Sequence, residues 1–179
     1  MGQVGDFTNY FKKDTSYFDP ILWHNNEQKP YQGYCSDIFT ENAIEFIEKN
    51  KNNPFFCYLS FNAPHNPLQV PDEYYQIYKN IDPTEGIDPN LIPNEKINEQ
   101  TKENTRKVYA MVTNIDENLK KLFAKIEELG IKDNTIVIFM TDNGPQHARY
   151  VAGMKGRKTS VYNGGIRVPF YFRYPNEFS

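Results

Sequence analysis

The spacing of apolar residues along this chain predicts two amphipathic helices. Over 101–129, apolar residues recur at three- and four-residue steps, and Gly130 follows as a helix stop. The apolar positions of this long helix are Val108, Met111, Val112, Ile115, Leu119, Leu122, Phe123, Ile126 and Leu129. A shorter helix is predicted over 37–50, with Asp37 or Thr40 as its N-cap.

Short, continuous apolar runs predict strands that are buried on both faces. Such runs occupy 55–61, 136–140 and 166–172. A short helix is predicted over 70–80, and a surface loop near 81–100, where three prolines interrupt a polar stretch. Residues 1–35 show no sustained period, which indicates an irregular segment with short strands at most.

This order of elements predicts an α/β core over 36–179 in which helices cover the faces of a sheet. His65 and the pair Asp142-Asn143 each directly follow a predicted buried strand. In open α/β sheets, ligands bind in the crevice at the carboxyl ends of the strands. Both polar groups are therefore candidates for a functional site.

Composition and charge argue against a disordered chain and against a nucleic-acid-binding or membrane-binding surface. The chain has 179 residues, enough for one domain with a real core, and its 15% aromatic content argues against disorder. A net charge of −3 with scattered basic residues indicates neither a nucleic-acid footprint nor a polybasic membrane patch. No apolar run has the length of a membrane span, and 1–6 lack the features of a signal peptide. At face value this favours the cytosol, but a missing N-terminal part would remove that inference, so localisation stays open.

The sequence around the two cysteines indicates no catalytic, metal-binding or disulfide role. Cys57 lies inside an apolar run, which predicts a buried and inert thiol. Cys35 has no CxxC partner, so neither residue indicates a zinc site or a disulfide framework.

Asp142 and Asn143 offer two neighbouring oxygen ligands of the kind that a hard divalent cation prefers. Asp-Asn-Gly is equally a sequence that forms a tight turn, and spacing alone does not separate the two interpretations. Calcium normally takes six to eight oxygens. A metal site here would therefore need further ligands from elsewhere.

Cationic side chains cluster after this turn, at Lys155, Arg157 and Lys158. A solvated loop is the plain interpretation, whereas Gly153 and Gly156 would let the backbone approach a tetrahedral oxyanion. Arg167 could pair with a carboxylate of the site or form a structural ion pair.

The histidines are less clear. His65, between two prolines, is either a hydrogen-bonded turn residue or a donor to a substrate oxygen. The contexts of His24 and His147 are weaker, although His147 could line the site.

Three motifs together resemble the sulfatase family, part of the alkaline phosphatase superfamily. They are PFFCYLSFNAPHNPLQVP at 54–71, TDNG at 141–144 and GRKTSVYNGGIRVP at 156–169. The resemblance implies an α/β, alkaline-phosphatase-like three-layer sandwich, with a mostly parallel sheet and helices on both faces. The whole chain, 1–179, would then be part of a sulfatase catalytic domain.

The resemblance also implies roles for single residues. Asp142 and Asn143 match calcium ligands, and His65 matches the histidine that contacts the sulfate ester near the leaving-group oxygen. Lys158 matches the lysine that binds the sulfate, with Lys155 as the second choice. Asn163 stands where the family usually has glutamate. The implied reaction is calcium-dependent hydrolysis of a sulfate ester, of a carbohydrate or an aryl compound, by attack of a formylglycine hydrate on sulfur.

The family makes its formylglycine from cysteine in a Cys-x-Pro-Ser-Arg motif, and neither Cys35 nor Cys57 stands in one. We therefore expect the chain to lack the nucleophile, the N-terminal Asp-Asp calcium ligands and the small C-terminal subdomain, and to be inactive alone. A phosphoesterase or phosphonate hydrolase of the same superfamily is one alternative, which the upstream sequence would reveal. A binding protein without catalysis is another, which need not respond to calcium.

Overall fold

The computed structural model describes residues 16–91 and 97–177. The chain divides into two compact units. The first unit comprises Met1–Ile77 and Val108–Ile131, and the second comprises Tyr78–Lys107 and Lys132–Ser179. The helices and strands, in chain order, are β1 (Ile21–His24), β2 (Glu27–Pro30), α1 (Cys35–Asn50), α2 (Asp72–Tyr78), α3 (Glu99–Glu128), β3 (Val137–Met140), α4 (Asn163–Ile166) and β4 (Phe170–Arg173).

The first unit contains a β-hairpin in the segment that the sequence indicated as irregular. β1 pairs with β2 in antiparallel register, with Leu22 opposite Lys29. Asn25 and Asn26 join the strands with positive φ angles of 51° and 68°. Asparagine tolerates this left-handed conformation, which two-residue hairpin turns require. The part of the predicted irregular segment before Ser16 lies outside the described residues.

Helix α1 begins at Cys35, so the prediction of Asp37 or Thr40 as its N-cap was wrong. Tyr34 precedes the helix in an extended conformation and makes no side-chain cap. The two predicted caps lie within the helix, where their side chains have other partners. Thr40 Oγ1 donates to the carbonyl of Ser36 over 2.9 Å. Asp37 accepts hydrogen bonds from two asparagines of α3.

Helix α3 confirms the prediction of a long amphipathic helix. Val108, Met111, Ile115 and Ile126 are buried. The predicted apolar face was too wide, however, because Val112 is 48% exposed and Phe123 is 36% exposed.

Asn114 and Asn118, both buried, instead donate through Nδ2 to Asp37 Oδ1 over 2.9 and 2.6 Å. These bonds fix α1 against α3 inside the first unit. The helix ends as predicted: Gly130 has a φ of 70°, and Ile131 donates its N–H to the Ile126 carbonyl.

The prediction of a buried strand over 55–61 was wrong. These residues form no regular element and pair with no strand in the described part of the chain. Phe56 and Tyr58 are 80% and 81% exposed, while their neighbours are partly covered. A strand needs partners for its backbone groups and cover for both faces, and an apolar run cannot show whether either is present. Cys57 is accordingly half-buried rather than enclosed.

In the second unit, β3 pairs with β4 in antiparallel register, with Met140 opposite Phe170. The strand predicted over 136–140 is confirmed, but it is not buried: Ile138 and Met140 are 53% and 58% exposed. The strand predicted over 166–172 begins only at Phe170, because α4 occupies 163–166. No strand pair in the described ranges 16–91 and 97–177 is parallel.

The loop predicted near 81–100 is held to α3 within the second unit. Lys102 Nζ lies 2.7 Å from Asp82 Oδ2, and Arg106 Nε donates to the carbonyl of Ile81 over 2.8 Å. The hydrogen bonds from Lys102 and Thr84 hold the pKa of the Asp82 carboxyl well below its usual range. Residues 92–96 of this predicted loop lie outside the described residues.

None of the helices in the described residues combines the length and the apolar character that crossing a bilayer needs.

Candidate functional site

Asp142 and Asn143 form a turn directly after β3. The backbone N–H of Asn143 donates to Asp142 Oδ1 over 2.8 Å, and Asn143 Nδ2 donates to the carbonyl of Gly144 over 3.0 Å. These bonds engage one carboxylate oxygen and the amide nitrogen. Within the described residues, Asp142 Oδ2 and Asn143 Oδ1 accept no hydrogen bond. The turn interpretation and the ligand interpretation of Asp-Asn-Gly are therefore compatible, because the turn leaves two oxygens for a cation.

Three backbone segments of the second unit meet beside this turn. Gly144 N–H donates to the carbonyl of Gly165 over 2.9 Å, and Gly164 N–H donates to the carbonyl of Lys155 over 2.8 Å. Lys158 N–H donates to the carbonyl of Pro145 over 3.0 Å. The Asp142–Gly144 turn, the basic loop and α4 are thus joined by main-chain bonds.

Glycine is required where these segments touch. A Cβ on Gly144 would overlap the carbonyl oxygen of Gly164, and a Cβ on Gly164 would overlap that of Gly156. Gly164 and Gly165 are buried. The glycines predicted to allow close approach to a ligand, Gly153 and Gly156, have φ angles of 69° and 86°. In this structure, the close approach occurs between segments of the chain itself.

The two lysines of the basic loop have different environments. Lys155 is exposed, and its Nζ lies 4.1 Å from the centroid of the Tyr162 ring, a cation–π distance. Lys158 is half-buried, and its ammonium makes no ion pair in the described part of the chain. This contrast favours Lys158 as the anion-binding lysine. Arg167 is exposed and, in the same part, forms no ion pair of either predicted kind.

His65 lies in the first unit, in a turn where the peptide bonds before Pro64 and Pro67 are cis. Its Nδ1 lies 2.9 Å from the carbonyl oxygen of Asn66. Since a carbonyl only accepts, Nδ1 carries the proton.

The His65 turn is supported by two tyrosines that the sequence analysis missed. Tyr17, which is buried, donates its hydroxyl to the carbonyls of His65 and Asn66 over 3.2 Å each. Tyr34 donates to the carbonyl of Gln69 over 2.9 Å. Both tyrosines lie in the stretch that gave no periodic signal, so only their contacts identify them.

The other histidines differ in setting. His24 Nδ1 lies 2.8 Å from the Tyr31 hydroxyl, in the β1–β2 hairpin. His147 belongs to the loop after Asp142, where it lines a small pocket with Arg149 and Arg157. Burial, with repulsion from these two guanidinium groups, lowers the pKa of His147. Arg149 was missed in the sequence because it stands alone, without a motif.

The part of the chain that the structure describes offers few side-chain ligands for a cation. No three His, Cys, Asp or Glu side chains come together as a metal cluster in 16–91 and 97–177. The carboxylate and amide oxygens of Asp142 and Asn143 are hard ligands that suit calcium. They supply two of the six to eight oxygens that calcium takes.

Comparison with known proteins identifies the family. The Sulfatase family model matches residues 3–179, so the chain belongs to the sulfatase family. Over 173 residues it is 30% identical to the uncharacterized sulfatase YdeN of Escherichia coli (strain K12). That alignment covers 92% of this chain and 27% of YdeN.

Solved structures agree with this assignment. The chain matches yidJ from Bacteroides fragilis with a TM-score of 0.76 and 26% identity, over 90% of this chain and 36% of that one. It matches Ps i-CgsB in complex with k-i-k-neocarrahexaose with a TM-score of 0.69 and 31% identity, over 87% and 31% of the two chains. The predicted α/β, alkaline-phosphatase-like fold is confirmed. The chain spans about a quarter to a third of the length of the proteins it matches.

Proposed function

We propose that this chain contributes the calcium-binding and sulfate-binding residues of a sulfuric ester hydrolase. The observation that carries the proposal is the main-chain joining of Lys158 to the turn of Asp142 and Asn143 within one unit. A pair of cation ligands, and on a joined loop a lysine that makes no ion pair within 16–91 and 97–177, are parts that binding of a tetrahedral oxyanion requires. Membership of the sulfatase family supports sulfate as that oxyanion.

Each residue has a defined task in this proposal. Asp142 Oδ2 and Asn143 Oδ1 bind calcium, and the remaining ligands come from elsewhere. Bound calcium would withdraw charge from the sulfate oxygens. The Lys158 ammonium binds a sulfate oxygen and stabilises charge that develops there. For His65, whose Nδ1 carries the proton, the family resemblance is the support for a contact with the ester near the leaving-group oxygen.

The substrate class proposed here is a sulfated carbohydrate. The structure of Ps i-CgsB, 31% identical to this chain, contains k-i-k-neocarrahexaose, an oligosaccharide by its name. An aryl sulfate remains useful as a small probe. The 179-residue polypeptide by itself is expected to turn over neither, because neither cysteine stands in a formylglycine motif.

A calcium titration of the chain by isothermal calorimetry tests the metal site. We expect Asp142→Asn to weaken calcium binding at least about tenfold, since a charged oxygen ligand is lost. Asp133→Asn is the matched control, because this exposed carboxylate of the same unit lies outside the turn. Equal calcium affinity in Asp142→Asn and the wild type would contradict the metal assignment.

Binding of inorganic sulfate, followed by nuclear magnetic resonance (NMR), tests the lysine. Lys158→Ala should weaken sulfate binding about tenfold, whereas Lys155→Ala should change it by less than about twofold. The reverse order would exchange the roles of the two lysines. Tighter binding of phosphate than of sulfate would favour the phosphoesterase alternative.

A further inference from the structure

The second unit contains a small pocket whose side chains have no part in the proposed binding of calcium and sulfate. Its volume is about 50 Å³. This exceeds the roughly 10–15 Å³ that a single water needs, so a small charged group fits. The pocket is lined by Pro145, His147, Ala148, Arg149, Val151, Gly156 and Arg157.

The lining is cationic. His147, Arg149 and Arg157 supply the polar side chains, and none of the lining residues is an aspartate or a glutamate. The lowered pKa of His147 has burial as its first cause and the two guanidinium groups as the next. The positive charges are therefore close enough to act on one another. A concave surface with this charge favours an anion.

The side chains suit an oxyanion in particular. A guanidinium presents five N–H donors in a fixed fork that matches the oxygens of a carboxylate or a sulfate. A neutral histidine adds one donor and one acceptor. Ala148 is buried and Val151 is half-buried, so part of the pocket wall is apolar. Apolar walls strengthen charge-assisted hydrogen bonds because they exclude water.

The pocket is continuous with the loops that carry the proposed sulfate site. Arg157 directly precedes Lys158 in the chain. Pro145, which lines the pocket, accepts the hydrogen bond from the Lys158 N–H at 3.0 Å. A ligand bound by the Lys158 ammonium therefore lies on the same pair of loops as the pocket.

We propose that the pocket of His147, Arg149 and Arg157 binds a second anionic group of the substrate, a sulfate or a carboxylate on the same carbohydrate. This inference rests on the proposed function, because it takes the first sulfate to be bound at Lys158. It makes the substrate class a polyanionic saccharide rather than any sulfate ester. Arg149 and Arg157 are then specificity-determining residues, not catalytic ones.

Binding of three probe saccharides to the wild-type chain tests the inference. The first is a galactose-based disaccharide with one sulfate, the second carries two sulfates, and the third carries one sulfate and one uronate carboxylate. We expect each doubly charged probe to bind at least about tenfold more tightly than the first, since its second anionic group gains a charge-assisted hydrogen bond to a guanidinium. The Nε–H NMR signal of Arg149 should shift with the doubly charged probes only. The second and third probes together show whether the pocket takes sulfate, carboxylate or both.

Variants separate this pocket from the sulfate site. Arg149→Gln and Arg157→Gln should each remove most of the gain from the second charge and leave the affinity for the monosulfated probe within about twofold. Arg149→Lys keeps the charge without the fork and should retain part of the gain. Lys121→Gln, which removes an exposed positive charge on α3 outside the pocket, should change nothing.

The outcomes distinguish the two proposals. The inference is wrong if the doubly charged probes bind the wild type no more tightly than the monosulfated one, or if Arg149→Gln weakens all probes equally. If Lys158→Ala leaves every affinity unchanged, the sulfate site of the proposed function is wrong, whatever Arg149→Gln does.

Discussion

The backbone N–H of Lys158 donates to the carbonyl of Pro145 over 3.0 Å. Pro145 directly follows the turn of Asp142 and Asn143, so this bond joins the basic loop to the end of a turn that carries a carboxylate and an amide. Three neighbouring glycines, Gly144, Gly164 and Gly165, make the approach possible because they leave room for carbonyl oxygens. Main-chain contacts thus hold the loops of the candidate site together, and substitutions at these glycines test their contribution.

Gly164→Ala should destabilise the protein strongly. The new Cβ would overlap the carbonyl oxygen of Gly156 and lie 2.9 Å from that of Lys155, so the backbone must move. We expect a loss of about 2–4 kcal/mol in the free energy of unfolding, measured with urea. Gly130→Ala is the control, since its Cβ would meet nothing within 4 Å and only its φ of 70° opposes the change. A loss of about 1 kcal/mol is expected there. Equal losses in the two variants would show that the glycine contacts do not matter.

Thr159→Gly should stabilise the protein, although it removes a side chain. Thr159 follows Lys158 and has a φ of 72°, a left-handed conformation that costs a branched residue about 1–2 kcal/mol. Glycine removes this strain but loses more backbone entropy on folding than threonine does. The net effect that we expect is a gain of about 0.5–1 kcal/mol in the free energy of unfolding, measured with urea. The matched control is Val161→Gly, at an 83% exposed position of the same loop with negative φ, which should lose stability. A loss in both variants would refute the strain at Thr159.

His147 should titrate below its ordinary pKa of 6.5. Burial and the neighbouring Arg149 and Arg157 disfavour its charged form. Because the unfolded state then binds the proton more tightly, the contribution of His147 to stability is present above pH 6.5 and is lost as the pH falls through the lowered pKa. An NMR titration of the ring signals gives the value, and Arg149→Gln should raise it. A wild-type pKa at or above 6.5 would contradict the packing of these three side chains.

Asn118→Ala should cost about 2–3 kcal/mol in the free energy of unfolding. Its Nδ2 donates to Asp37 Oδ1 over 2.6 Å in a buried setting, and alanine would leave this carboxylate with fewer donors. Asn50→Ala is the control, because Asn50 Nδ2 donates to the Phe46 carbonyl at an exposed site, where the loss should stay below about 1 kcal/mol. A loss below that level in Asn118→Ala as well would mean that the buried bond contributes little.

Sequence reasoning succeeded where the signal is local. The long helix α3 and its end at Gly130 follow from apolar spacing and from one residue with a left-handed φ. The family was identified from three motifs and is confirmed over residues 3–179. The assignment of Asp142, Asn143, His65 and Lys158 to calcium and sulfate stays a prediction.

The wrong strand predictions concern whether a segment pairs with another strand and whether other residues cover it. Apolar runs at 55–61 and 136–140 have the same character in the sequence, yet only the second forms a strand, because only it is paired. Neither is buried on both faces. Burial depends on what covers a segment, which is a non-local property that the segment's own residues do not encode.

By itself, the sequence determined the family, the order of α1, α2 and α3, and the residue types that could bind a cation and an oxyanion. Only the tertiary structure decided that Lys155 contacts the Tyr162 ring while Lys158 remains half-buried without an ion pair in the described residues. Only the tertiary structure placed Arg149 beside His147 and Arg157. The reason is physical: residue type fixes which interactions a side chain can make, whereas backbone hydrogen bonds and glycine contacts between distant segments fix which of them it does make.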